Sequence, residues 1–405
     1  MKKLYRKLLI AAVFAAAAPL QAAPSFSGAV GGSAGVDIDI PLAGSGSGFK
    51  VPLAGFAAVQ ANLAEWCVAR GEIAINASNF EFDDIFGSAQ SAIKLNELSL
   101  VLIRRAVTAS SFFSAFLGSY EQIGSDTFLM RQFGIEPISS PLSKSATNLA
   151  GTSVLPTRGA GLSYIVNFDK APIATGAYIY LGKDKNKDWT LNFDVRFSFV
   201  SNLATLDFLA GVGAPLQNTF NNEDVVLMID TIYLRGGINL LLGSKYTHSL
   251  FVQAGLNDVV VKGDEVGTIT GDMLNFLAEP RINFDKFRFS LTAYAYNSDT
   301  VKDLIYLQDE FGAAVTFYKD DIETKSGFLT LGAHAIASCG GRMAADFLQD
   351  WDTEGLTYNA YLTPYMEIQI GPTARFEAMA QFGVCDLAGS QTLNLRFIAS
   401  ARKNF

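Results

Sequence analysis

Side chains able to do covalent chemistry are sparse in this sequence, and none is spaced for it. There are two histidines, His248 and His334. Ser249 directly follows His248, and neighbours on a strand point to opposite faces. The hydroxyl is therefore out of reach of that imidazole as a general base. The run Asp184-Lys185-Asn186-Lys187-Asp188 opens like a calcium loop, but Trp189 stands where glycine is needed and Val195 where the closing Glu should be. Gly211 and Gly213 do not extend into a nucleotide-binding fingerprint. Cys67, Cys339 and Cys385 allow at most one disulfide, lack zinc-site spacing, and read as three small packed residues without a bond. The acidic pairs Asp83-Asp84 and Asp320-Asp321 read as solvated charge in loops. The expectation is a protein that is not an enzyme, with no cofactor and no metal.

What remains is charge, and it is arranged with period two. In 191–199, Leu191, Phe193, Val195, Phe197 and Phe199 share one face, while Asn192, Asp194, Arg196 and Ser198 share the other. Phe287, Phe289, Leu291, Ala293 and Ala295 oppose Arg288, Ser290, Thr292, Tyr294 and Tyr296. Ala374, Phe376, Ala378, Ala380 and Phe382 oppose Arg375, Glu377 and Gln381, and Leu393, Leu395, Phe397 and Ala399 oppose Asn394, Arg396, Ile398 and Ser400. A helix would repeat at three and four residues instead. Strands are therefore the elements that must position the charges. Nineteen segments read this way: 26–40, 49–63, 66–79, 93–103, 106–117, 160–169, 174–182, 189–201, 203–213, 224–234, 236–243, 246–257, 278–285, 287–298, 310–318, 326–337, 357–371, 373–384 and 391–401.

Composition narrows the architecture. Charged residues make up 17% of the 405-residue chain, below the roughly 25% of a soluble domain. Phe is used 31 times and Gly 36 times, which suits strands and tight turns. The net charge of −8 leaves no basic excess for nucleic acid. Met1-Lys2-Lys3-Leu4-Tyr5-Arg6-Lys7, the apolar run Leu8 to Ala18, and Gln21-Ala22-Ala23 have the layout of a secretory signal peptide over 1–23. No later apolar run is long enough for a membrane-spanning helix. The strands are about as long as a tilted membrane crossing, and their second face is polar enough for a wet lumen. The reading is an all-β fold: one transmembrane antiparallel up-and-down barrel over 24–405, with about 16 strands and 14 to 18 as the range.

Residues 119–158 break the rhythm with Pro137, Pro141 and Pro156 and no sustained alternation. By the strand count they follow the fifth strand and form the third external loop. Here the chain resembles the porin-like bacterial outer-membrane barrels, in its export signal, serial alternating strands, long early loop and C-terminal strand ending in Phe405. The likeness is architectural and rests on no short motif. It implies residence in the bacterial outer membrane, a third loop folded into the lumen, and passive diffusion of small polar solutes. It also implies outer-membrane lipid and the barrel-assembly machinery as partners, and a homotrimer as assembly.

Lumen-facing candidates are Arg70, Glu72, Asp194, Arg196, Glu279, Arg281, Arg288, Arg375, Glu377 and Arg396. The constricting loop adds Glu121, Asp126, Arg131, Glu136 and Arg158. Trp189, Tyr178, Tyr180, Tyr358 and Tyr365 are candidates for interfacial aromatic girdles. Two alternatives compete. One is a substrate-specific transporter, resembling fatty-acid transporters, with residues 23–48 as an N-terminal plug. The other is a surface adhesin or structural barrel with a blocked lumen.

Overall fold

The computed structural model describes residues 24–41, 48–77, 91–144, 155–183, 189–216, 219–220, 223–224, 231–244, 247–263, 265–284, 287–297, 300–301, 304–325, 327–340, 357–386 and 392–405. The leader at 1–23 and the pair Asp83-Asp84 lie outside these residues.

Period-two alternation does what it must in this chain: each stretch becomes a strand with an apolar and a polar face. Twenty strands share one antiparallel sheet, two of them short, Gly48–Lys50 and Glu265–Val266. The other eighteen form the barrel. They are β1 Ser25–Pro41, β2 Leu53–Ala64, β3 Cys67–Ala77, β4 Ser91–Arg105, β5 Ala109–Ser119, β6 Arg158–Phe168, β7 Ile173–Lys183, β8 Trp189–Val200 and β9 Ala204–Pro215. These are followed by β10 Thr231–Leu242, β11 Ser249–Lys262, β12 Leu274–Phe284, β13 Phe287–Ala295, β14 Phe311–Thr324, β15 Gly327–Gly340, β16 Thr357–Ile370, β17 Ala374–Asp386 and β18 Thr392–Asn404. Each pairs with its sequence neighbour, and β1 pairs with β18 from Ala29↔Asn404 to Pro41↔Thr392, which closes the ring.

Closure leaves no free sheet edge, as a membrane requires. The outer face carries an exposed apolar belt that includes Ile73, Leu98, Leu117, Ile179, Phe193, Phe208, Leu291, Leu331 and Phe397. Even-numbered strands end in tight turns, while the long connections all follow odd-numbered strands. Exposed aromatics gather at the turn end, with Phe26, Trp66, Phe168, Phe284, Phe287, Phe376 and Phe405. Phe287 stacks on Phe317 with centroids 5.5 Å apart. This is an aromatic girdle at one membrane interface. The inner face is polar and packed, with Ser114, Ser163, Ser198, Asp207, Asn239, Thr292, Thr316 and Gln381 all buried. In this arrangement the chain is an outer-membrane-type β-barrel.

Three expectations need correction. The described part of the plug suggested for 23–48 is not one, because Ser25–Pro41 is the stave β1, paired on both sides. Tyr178, Tyr180 and Tyr365 do not belong to a girdle. They sit at inward register positions, where Tyr178 faces Asp194 and Tyr180 faces Asn192, while Trp189 is half exposed with Lys183 Nζ 5.2 Å from its ring. Asp320 is not loop charge either. It lies in β14, where the register slips between Lys319 and Ile322, and this bulge turns Asp320 to Arg288 at 2.7 Å. Cys67 and Cys339 are buried and unbonded.

Candidate functional site

After β5, residues 120–144 fold into the middle of the barrel. Tyr120 N donates to Thr157 O at 3.0 Å, so the two strands run on briefly before the loop departs inward. Gly124 makes the bend with φ +83, and a side chain there would collide with the carboxylate of Asp207 on β9. Ser125 then caps helix α1, Asp126–Phe133, accepting from Phe128 N at 3.2 Å, and Gly134 closes it in the left-handed region at φ 69. Glu121 binds Arg70 of β3 at 2.5 Å and also pairs with Arg131 of α1, fastening the helix to the wall. Asp126 accepts from Ile138 N at 2.9 Å and from the Ser139 hydroxyl. Burial pushes its carboxyl up, against the pull of those hydrogen bonds.

The loop tip crosses the lumen as a chord. At one end the Ser140 hydroxyl donates to Glu279 of β12, which also takes Thr292 Oγ1 at 2.8 Å and Arg281 Nε at 2.7 Å. Pro141–Ser143 makes a short 3-10 turn. At the other end Lys144 pairs with Glu377 of β17. Between β13 and β14, the described residues 296–297, 300–301 and 304–310 fold in from the opposite side. Ile305 N donates to Lys144 O at 3.0 Å, joining the two loops. The Tyr306 hydroxyl donates to Glu377 Oε1 at 2.5 Å, and Gln381 Nε2 donates to Tyr306 O at 3.0 Å. Burial first, and then the Glu377 charge, push the Tyr306 phenol well up, so it stays a donor. Leu129, Ile138 and Leu142 of the first loop bury against Val301, Ile305 and Leu307 of the second. Each such side chain contributes about 1.5–3 kcal/mol on full burial.

A cavity of about 1280 Å³ threads past both loops. Its walls include Lys183 and Thr190 at the long-loop end, and Thr373, Arg402 and Asn404 at the turn end. Of the sequence candidates, Glu279, Arg281, Arg288, Arg375, Glu377, Asp126, Glu136 and Arg158 stand in this wall. Arg70, Glu72, Asp194, Arg196, Glu121 and Arg131 do not. Arg70, Glu121 and Arg131 form the anchor just described. Asp194 pairs with Arg235 at 2.7 Å, Glu72 accepts from Asn96 at 2.9 Å, and Arg196 is fully buried, donating to Leu155 O. Arg396 lines a second, smaller cavity of about 360 Å³ and contacts Asp37 at 3.3 Å.

Sequence reading missed the second loop, and with it Ile305, Tyr306 and Gln308, as well as Lys144. A usable signal was present. Val301, Leu304, Ile305, Tyr306 and Leu307 place apolar residues in a connection without strand alternation, and in a wet-lumened barrel such residues need a partner.

No protein-family model matches the chain, and no curated protein matches it. Solved structures do. OccK5 (OpdH) of Pseudomonas aeruginosa superposes with a TM-score of 0.51 at 8% identity, over 94% of this chain and 98% of that one. OccAB4 of Acinetobacter baumannii gives 0.49 at 10% identity, over 96% and 100%. OmpF of Salmonella typhi gives 0.43 at 9% identity, over 93% and 97%. At such identity the likeness is one of fold. The fold is that of the porin-like outer-membrane channels.

Proposed function

We propose that this barrel is a channel for passive diffusion of small polar solutes across the outer membrane. One observation carries the reading: a single cavity, with many polar and charged side chains in its lining, touches residues at both ends of the barrel. Pores select by width and by the charges and hydrogen-bonding groups of their lining. Here the two inward loops set the width, and Glu279, Arg281, Arg288, Arg375 and Glu377 supply charge of both signs along the path. The plugged-transporter alternative loses its plug to β1.

The test is single-channel recording of the folded protein in a planar bilayer, with a variant whose residues 121–156 are replaced by a short Gly-containing turn. Tyr120 and Thr157 are already hydrogen-bonded, so that junction needs no rearrangement. Stepwise conductance in the intact protein, rising in the shortened one, is the expected result. A silent intact protein that still shows heat-modifiable gel mobility would overturn the reading in favour of a blocked structural or surface barrel.

A further inference from the structure

One feature of the cavity wall is costly unless something binds it. Glu367 of β16 and Glu377 of β17 are direct cross-strand partners on the inner face. Like charges set opposite each other in a sheet repel, with Cβ atoms about 5 Å apart. Both side chains line the main cavity. Each is neutralised by a different kind of partner. Glu367 takes Arg375, a residue of the barrel wall. Glu377 takes Lys144, which belongs to the loop and not to the wall. The Lys144 side chain remains 34% exposed, whereas Glu377 is 11% exposed. The ammonium therefore approaches the carboxylate from the cavity side.

The rest of the pocket is held by hydrogen bonds and ring contacts and is suited to a cation. Tyr306 holds the second oxygen of Glu377 at 2.5 Å. Tyr365, one position pair away on β16, stacks on His334 at 4.7 Å, and Tyr306 meets the same ring at 4.6 Å. Tyr306 and Tyr365 lie 6.0 Å apart and both line the cavity. Two carboxylates beside two phenol rings attract an ammonium group by charge and by the ring quadrupoles.

We propose that this is a binding subsite for solutes bearing an alkylammonium group, and that Lys144 is its built-in occupant. An entering ammonium exchanges with the Lys144 Nζ on Glu377, and the charge count of the site is unchanged. The site rests on the channel reading for its route of access, since a solute must reach the lumen.

n-Butylammonium is the probe, with n-butanol as the neutral control of similar size. In bilayer recordings butylammonium is expected to reduce the current reversibly, and butanol is not. Lys144→Met removes the competitor and lowers the half-blocking concentration about fivefold, the upper end for loss of one partly exposed ion pair. Glu377→Gln abolishes the block, and Tyr306→Phe weakens it. Calorimetric titration of the detergent-folded protein with butylammonium reads the same site without conduction, so a silent channel and an empty site are separable results. Equal responses to butylammonium and butanol, or unchanged affinity in both Lys144→Met and Glu377→Gln proteins that keep their heat-modifiable mobility, would refute the proposal.

Discussion

At the scale of single residues, the inward position of the first loop depends on a few side chains. Glu121 carries two ion pairs at once, to Arg70 and Arg131. Its replacement by Gln leaves two guanidinium groups facing one neutral amide. Removing one partner of such a partly buried network costs more than an exposed pair does. Glu121→Gln is expected to loosen α1, seen as larger current fluctuations in single-channel records. Gly124 is a sharper case. Its positive φ disfavours any side chain, and a methyl group would meet Asp207. Gly124→Ala is expected to cost more than about 1 kcal/mol of loop docking. The conductance step should then move toward that of the shortened-loop variant, and an unchanged step would contradict this account. Glu121 could be named from the sequence as a charge of the long loop, but neither its role as an anchor nor Gly124 had a signature there. Glycine is common in the chain, and a paired glutamate looks like a solvated one until its partner is known.

At the scale of elements, the strands were the most legible part of the fold, because burial on one face writes itself as period two. Seventeen of the segments read from alternation correspond to single strands, and the exception is instructive. Residues 231–234 of the segment 224–234 and the segment 236–243 fall on one strand, β10, whose pairing with β11 slips between Leu234 and Gly236. A bulge inserts a residue and shifts the phase of the alternation, so pattern reading divided the strand at that point. The strand count of about 16 fell below the observed eighteen, within the expected range, because the tight turns after even-numbered strands use few residues. The first inward loop announced itself by its length and prolines. The second did not, since its neighbours alternate well and its apolar core resembles strand ends. The two loops also hold each other, with Leu142 and Ile305 in one buried cluster. Leu142→Ala should destabilise their docking by about 2–5 kcal/mol. The expected signs are faster proteolysis within 120–157 and flickering conductance, with barrel mobility on gels unchanged.

At the scale of the whole molecule, two packed loops cross the lumen, and the cavity beside them is lined by charges of both the wall and the first loop. The inner face could be read as polar from sequence, but not which of its charges meet the cavity and which anchor the loops, since that depends on where the loops lie. Arg196 and Arg281 look alike as alternating arginines, yet one is sealed behind the loop and the other lines the path. The seam between β1 and β18 has a further meaning. Gly28 N donates to Phe405 O at 2.9 Å and Phe405 N donates to Gly28 O at 3.0 Å, so the start of β1 and residue 405 are neighbours at the turn end. A ring of this kind has no first stave. A circular permutant that joins residue 405 to residue 24 by a short linker, and opens instead at Glu65-Trp66, keeps every strand pair. It should fold into detergent micelles with the same heat-modifiable mobility and the same conductance step. What the permutation would change is the order of events. The contacts between the chain's most distant strands, which must wait for all others, become an ordinary hairpin, and the last seam to seal moves to β2 and β3.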